Sequence, residues 1–255
     1  MGFRTFYHVP FQFIERFLHI IIERRLNLEI YFNAEILDST PPHIYETTAR
    51  KLSDAGIETT IHSPFMDLSP GGIDKKIREI SLERMKQLMA AASFFNPASI
   101  VVHPGFDKWR FGGAEDKWLE NSISTWQEVL NFIPGGRTIV CLENVFEEYP
   151  DPLITLCKSL GNRKFKICFD TGHFNLFAKI AMDEWIEQII GYIGEIHLHD
   201  NSGINDEHNA IGSGTVNFQR LFELIKGRED IILTVEAHTS DNAVKSMERL
   251  KELLQ

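Results

Sequence analysis

Apolar and polar positions alternate between two patterns along the chain. Short runs rich in β-branched and aromatic residues recur at TFYHV (5–9), LEIYF (28–32), ETTIH (58–62), SIVVH (99–103), TIVCLE (138–143), FKICFD (165–170), EIHLH (195–199) and ILTVE (232–236). Each reads as a strand. Amphipathic stretches with helical spacing separate them. They are expected from Pro10 to about 26, from Ser39 and the Pro41-Pro42 pair onward, and over 74–95, 114–132, 152–160, 178–192, 217–226 and 241–254. In the longest, Ile77, Ile80, Met85, Leu88 and Met89 are expected to share one face. Eight strand–helix units in 255 residues match a (β/α)8 TIM barrel. A doubly wound sheet is the structural rival. The count of eight and the lack of any linker or low-complexity tract favour one barrel domain over residues 1–255.

The residues that end the apolar runs are not apolar. They read His62, His103, Glu143, Asp170, His197 and Glu236, spaced 27 to 41 residues apart, about one βα unit each. In a βα barrel the C-terminal strand ends meet on the face that carries active sites. Two further groups belong to the loops that follow: His173, and Asp206 with His208. Of ten histidines, only His19 and His43 fall in predicted helices. His8, His62, His103, His173, His197, His199, His208 and His238 sit at or just past a strand end. A cluster of imidazoles and carboxylates suits zinc, manganese or iron. Carboxylates brought together raise each other's pKa, and a divalent cation removes that cost. Glu143 could bridge two such ions. Water on such an ion ionises near pH 7 and supplies a hydroxide nucleophile.

Bulk composition narrows the options. Apolar content of 43% with 24% charge permits a sizeable core without staples. A net charge of -10 advertises no broad duplex-binding surface. Cys141, Cys157 and Cys168 are odd in number and fit no zinc spacing; the two inside apolar runs, Cys141 and Cys168, read as core thiols, and the reducing cytosol is the expected compartment. Glu15, Arg16 and His19 interrupt the N-terminal apolar stretch, so neither a signal peptide nor a membrane span is expected there.

These stretches together resemble the xylose isomerase-like TIM barrels, the superfamily that includes endonuclease IV. The likeness rests on YHV (7–9), IHSPF (61–65), VVHPG (101–105), LENV (142–145), CFDTGH (168–173), HLHD (197–200), DEH (206–208) followed by IGSG, and VEAH (235–238). Similarity to endonuclease IV implies a first metal on His62 and His103, with Glu143 bridging to a second. Asp170, His197 and Glu236 would complete the second site, and His173, Asp206 and His208 would hold a third. Similarity to the isomerases and epimerases implies one cation on Glu143, Asp170, His197 and Glu236. Glu143 and Glu236 would then also shuttle a proton through an ene-diol.

The mouth loops depart from a DNA reader. FNAEILDSTPP has no lysine or arginine, and NVFEEYPD and DNSGINDEHNAIGSGT are acidic. Lys108 and Arg110 are the evident phosphate partners, too few for duplex DNA. Aromatics are frequent instead: Phe65, Phe106, Trp109, Phe111, Phe146, Tyr149 and Phe174. The expectation is therefore a metal-dependent hydrolase with two or three Zn2+ (or Mn2+ or Fe2+) ions. It would cleave a phosphodiester in a small molecule, with a cobamide-type nucleotide loop as one candidate. The alternative is a sugar or sugar-phosphate isomerase or epimerase with one Mn2+. His8, His199 and His238 are expected near substrate together with Phe65, Lys108, Trp109 and Arg110. Asp200 or Asn144 is expected to orient a ligand imidazole. Gly212 and Gly214 would either admit a phosphate to the backbone or form a plain loop.

Overall fold

The computed structural model describes residues 2–161 and 163–254. Eight strands run parallel and close on themselves in chain order. They are β1 (Arg4–Pro10), β2 (Asn27–Tyr31), β3 (Thr59–His62), β4 (Ser99–Val102), β5 (Ile139–Glu143), β6 (Phe165–Asp170), β7 (Ile193–Leu198) and β8 (Ile232–Val235). β1 pairs with both β2 and β8, which seals the ring. The doubly wound alternative is excluded by that closure.

Strand period explains how one barrel holds two chemistries. Successive side chains point to opposite faces. Leu28, Ile30, Ile61, Ile100, Val102, Leu142, Ile167, Phe169, Ile196, Leu198 and Leu233 join the core that packs on the helices. The residues between them, Glu29, Thr60, Ser99, Glu195 and Thr234, are buried on the opposite, inner face. Val101, Cys141 and Cys168 form a separate small apolar cluster among them. All three cysteines are buried free thiols. The barrel interior is thus polar at its centre and plugged by small thiols.

Most helices follow the predicted stretches, and local chemistry sets their starts. Asp74 accepts from the Lys76 amide at 2.7 Å to begin the helix Lys75–Ala92. In that helix Met85, Leu88 and Met89 are buried, but Ile77 and Ile80 are exposed, so its first two turns do not continue the expected apolar face. Helix Pro42–Asp54 takes its proline at the first turn, where no donor is needed. Three short helices occur where the sequence predicts loops: Ala34–Ser39, Lys108–Phe111 and Thr171–Phe177. Each begins on an Asn or Asp side chain that caps it: Asn33, Asp107 and Asp170. Among the described residues, no helix is long and apolar enough to cross a membrane.

The long loop after β7 is tied by one buried carboxylate. Asp200 Oδ1 accepts from the amides of Asn201 (2.9 Å) and Val216 (3.1 Å), and Oδ2 from those of Gly212 (3.1 Å) and Gly214 (2.8 Å). A Cβ on Gly214 would fall 2.1 Å from the Asn201 carbonyl oxygen, so only glycine fits. The Gly212 and Gly214 amides therefore face Asp200 rather than a phosphate, and Asp200 orients backbone rather than an imidazole. Replacement Asp200→Ala leaves four amides without this acceptor. We expect a stability loss of about 3 kcal/mol, read as a lower urea midpoint at unchanged slope. A loss within error would show that water replaces the carboxylate.

Candidate metal centre

The strand ends deliver their polar residues to one place. Glu143 ends β5, and its carboxylate is the hub. Oε2 lies 3.2 Å from His62 Nε2 and 3.1 Å from His103 Nε2. Oε1 lies 3.3 Å from His173 Nδ1 and 3.6 Å from His197 Nδ1. Glu236, directly after β8, brings Oε2 to 3.1 Å from His197 Nδ1. Asp170 ends β6, with Oδ2 3.8 Å from the same nitrogen. From the loop after β7, Asp206 Oδ2 sits 3.1 Å from His208 Nε2 and 3.5 Å from His173 Nε2.

Backbone acceptors fix which ring nitrogens point inward. His62 Nδ1 faces the Ser63 carbonyl at 2.9 Å, and His173 Nδ1 faces the Asn144 carbonyl at 3.0 Å. A carbonyl only accepts, so these nitrogens carry a proton and Nε2 is the nitrogen turned toward the cluster, the lone pair once the ring is neutral. Asn144 also clamps Asp170 by its side chain, accepting from the Asp170 amide at 2.8 Å and donating to its carbonyl at 3.0 Å. The Asn144 side chain thus holds the Asp170 backbone, and only its backbone carbonyl meets an imidazole, that of His173. His199 differs from expectation. It is fully buried and its Nε2 lies 3.0 Å from Asp170 Oδ2, so it supports a carboxylate instead of facing substrate. Gly172 makes room for it, since a Cβ there would fall 2.0 Å from the His199 ring. His199, His208 and His238 form a stack with centroid spacings of 3.9 and 3.7 Å.

Two carboxylates lie deeper, and the strand-end series misses both. Glu29 in β2 is fully buried, with Oε1 3.0 Å from His8 Nδ1 and Oε2 3.1 Å from His197 Nε2. Glu195 in β7 accepts from the hydroxyls of Ser99 and Thr234, each at 2.5 Å. The signal was present in the sequence: a lone glutamate inside an apolar strand is costly unless partnered.

Electrostatics sort these groups. Burial opposes charge throughout the cluster, but the imidazoles hold Glu143 and Glu236 well below the usual carboxylate range. Burial pulls the His62 imidazole down, and the Glu143 carboxylate beside it overcomes this and lifts it to about 9. Burial alone dominates at His103 and lowers it. Glu195 is pushed up to about 7 by burial and by the nearby Glu29 charge.

The residues present fit a divalent cation. Glu143 Oε2, Glu236 Oε2 and His197 Nδ1 are buried without a hydrogen-bond partner. Their atoms nevertheless converge: Glu143, Asp170, His197 and Glu236 place ligand atoms within 4.8 Å of one another. His62, His103 and Glu143 form an adjoining group, as do His199, Asp206 and His208. In the third group His199 stands where His173 was expected. Oxygen and imidazole donors that crowd without bonding each other suit a divalent ion.

A cavity of about 540 Å³ opens above this cluster. Its wall includes His8, His62, Phe65, His103, Arg110, Glu143, His173, Asp206, His208, Glu236 and His238. Tyr31 and Phe177 join it unforeseen. Phe65 stacks on His103 at 4.4 Å, and Phe106 and Phe146 also line the wall. Four other expected aromatics do not. Phe111 packs beside Trp118 and Phe174 beside Trp185, while Trp109 and Tyr149 are exposed outside the wall. Lys108 also departs, because its ammonium pairs with Glu148. Lys108 and Trp109 therefore do not meet the cavity as expected.

A family model described as xylose isomerase-like TIM barrel matches residues 27–253. The chain belongs to this family. Among its relatives is an uncharacterized protein of Methanocaldococcus jannaschii, 31% identical over 210 residues, which are 78% of this chain and 71% of that protein. A probable endonuclease 4 of Ureaplasma parvum is 27% identical over 65% of this chain and 59% of its own length, so the likeness to it is partial. Among solved structures, this xylose isomerase-like barrel is similar to a D-tagatose 3-epimerase-like protein with a TM-score of 0.82 and 26% identity, over 97% of this chain and 96% of that one. It also shares its fold with a Thermus thermophilus protein soaked with zinc chloride, at a TM-score of 0.76 and 18% identity, over 98% and 97% of the two chains. The hydrolase expectation is unsupported by these likenesses, and the sugar isomerase or epimerase alternative fits them better.

Two measurements test the site. A divalent cation at a hundred times its dissociation constant should add about 2.7 kcal/mol of stability, seen as a raised melting temperature that Asp170→Asn loses. No rise with zinc, manganese, cobalt or magnesium would remove the metal centre. The second concerns Glu147, a buried carboxyl in the loop after β5. Burial pushes it up to about 7 from 4.5. The folded state then holds this proton more tightly, so its stabilising effect is complete below about pH 4.5 and fades as pH rises through 7. Glu147→Gln should remove that fade, making the variant more stable at pH 8 by up to about 3 kcal/mol. Equal urea midpoints at pH 8 would show the carboxyl to be solvated.

Proposed function

We propose that this chain epimerises or isomerises an unphosphorylated keto sugar, with one divalent cation held by Glu143, Asp170, His197 and Glu236. The observation that carries this is the convergence of those four buried side chains within 4.8 Å, beneath a cavity whose wall contains Arg110 but no lysine among the described residues. A bound cation would act as a Lewis acid on a carbonyl and its neighbouring hydroxyl. The full-length likeness to a D-tagatose 3-epimerase-like structure supports the same chemistry.

The protein's own groups divide the work. Glu143 comes from β5 and Glu236 from the end of β8, three strands apart in the ring. One carboxylate removes the proton from the carbon beside the carbonyl, and the other returns a proton to the opposite face. The imidazoles hold both low, so the carboxylate that abstracts is ionised, while the other must first take a proton from solvent, which it then returns. His8, His62, His103 and His238 offer hydrogen bonds to hydroxyls from the wall. Phe65 and Phe106 offer flat apolar faces for the sugar's C–H groups.

One observation favours a second reading, phosphodiester hydrolysis with two or three ions. It is the pair of further ligand groups, His62–His103–Glu143 and His199–Asp206–His208. Metal content per chain separates the two: His62→Ala and Asp206→Ala each lose an ion under hydrolysis and neither does under a one-ion epimerase.

The direct test is turnover of keto sugars in D2O with added Mn2+. We expect one deuterium to enter at the epimerised carbon. Glu143→Gln and Glu236→Gln should each lower kcat by about 100-fold or more. Cleavage of an activated phosphodiester, with no exchange into any keto sugar, would overturn the proposal.

A further inference from the structure

We infer that Glu29 is a positioning residue: one carboxylate that turns His197 toward the cation and His8 toward the substrate. This deepens the sugar-epimerase reading and rests on its cation site.

Glu29 sits in the middle of β2, fully buried, and its two oxygens face two different rings. Oε2 is 3.1 Å from His197 Nε2. Oε1 is 3.0 Å from His8 Nδ1. An ionised carboxylate can only accept, so each of those nitrogens must carry a proton. The consequence is opposite for the two rings. His197 is left with Nδ1 as its lone pair, and Nδ1 is the atom that lies near Glu143, Asp170 and Glu236. His8 is left with Nε2 as its acceptor, on a ring that lines the cavity. A histidine on β7 could otherwise present either nitrogen, since strand geometry fixes the Cβ but not the tautomer.

Other positions do not share this role. His62 and His173 take their tautomers from backbone carbonyls, which the fold supplies regardless of side chain. His197 Nε2 has Glu29 as its acceptor, and no backbone carbonyl is recorded there among the described residues. Glu195 lies close by but bonds the Ser99 and Thr234 hydroxyls. Carboxylate support of a ligating imidazole raises its basicity and fixes its plane. Here the same carboxylate also holds a wall residue, so the two functions are linked by one side chain.

The test compares wild type with Glu29→Gln and Glu29→Asp, stripped by chelator and titrated with Mn2+ by calorimetry. Glu29→Gln keeps the shape but loses the charge and has one acceptor oxygen for two rings, with an NH2 donor against the other. Glu29→Asp keeps the charge but withdraws it by one methylene. Positioning predicts that both lose affinity by about 10–100-fold. Long-range 1H–15N spectra of the Zn2+-loaded proteins give a readout independent of activity. Wild type should show His197 with a protected Nε2 proton and Nδ1 on the metal; Glu29→Asp should lose that protection, and Glu29→Gln should lose the acceptor at one of the two rings, His197 or His8. Full affinity and an intact signature in Glu29→Asp would reduce Glu29 to a source of negative charge and overturn the positioning role alone. Failure of wild type to bind Mn2+ or Zn2+ would overturn the cation centre, and the role with it. Neither readout depends on which sugar is the substrate.

Discussion

Five carboxylates share the inside of this barrel: Glu29, Glu143, Asp170, Glu195 and Glu236 are all buried. Charge in such a place is tolerated only when it is paired or neutralised. The ion-pair partners recorded for four of them are imidazoles, with no lysine or arginine among them. Glu195 relies on two hydroxyls. Much else in the structure answers to that constraint. Val101 and the thiols of Cys141 and Cys168 cluster on the same inner face and bring the carboxylates no charge to pair with. The backbone carbonyls of Ser63 and Asn144 set two rings so that Nε2 points inward. A divalent cation would complete the neutralisation, because imidazoles alone leave buried oxygens and nitrogens unpartnered.

The barrel was legible in the sequence because parallel strands buried on both faces give near-continuous apolar runs. The strand ends were legible for the complementary reason. His62, Glu143, Asp170 and His197 each break or close such a run, and their spacing matches one βα unit. Glu29 escapes because it lies inside its run, two residues before Tyr31 ends β2. A rule that looks only at the last position of each run cannot find it. Alternation could have, since Leu28 and Ile30 flank it and both face the helices.

Loops were less legible, and the reason is physical. A strand's side chains have two directions, but a loop's depend on bonds made elsewhere. Lys108 reads as a phosphate partner until Glu148, forty residues on, claims its ammonium. Trp109 follows Asp107, whose side chain caps the short helix Lys108–Phe111 and leaves the indole outside the wall. His199 reads as a rim residue because it lies just past a strand end. It is buried because Gly172, on the neighbouring turn, has no side chain to keep it out.

The same bonds decide the charge of what the cavity can hold. Amides of the IGSG loop would suit a phosphate, but Gly212, Gly214 and Val216 donate to Asp200. Lys108 is paired, so the wall's fixed positive charge is Arg110 against the carboxylates of Asp67, Asp107, Glu143, Asp206 and Glu236. One cation would offset part of that negative charge, and a phosphate dianion would need the offset for itself. A neutral polyol asks for neither. Its hydroxyls need donors and acceptors, which six wall imidazoles supply in either role, and its C–H face needs an apolar ring. A wall built from imidazoles and aromatic rings around a carboxylate hub therefore supports the proposed uncharged sugar over a phosphorylated one.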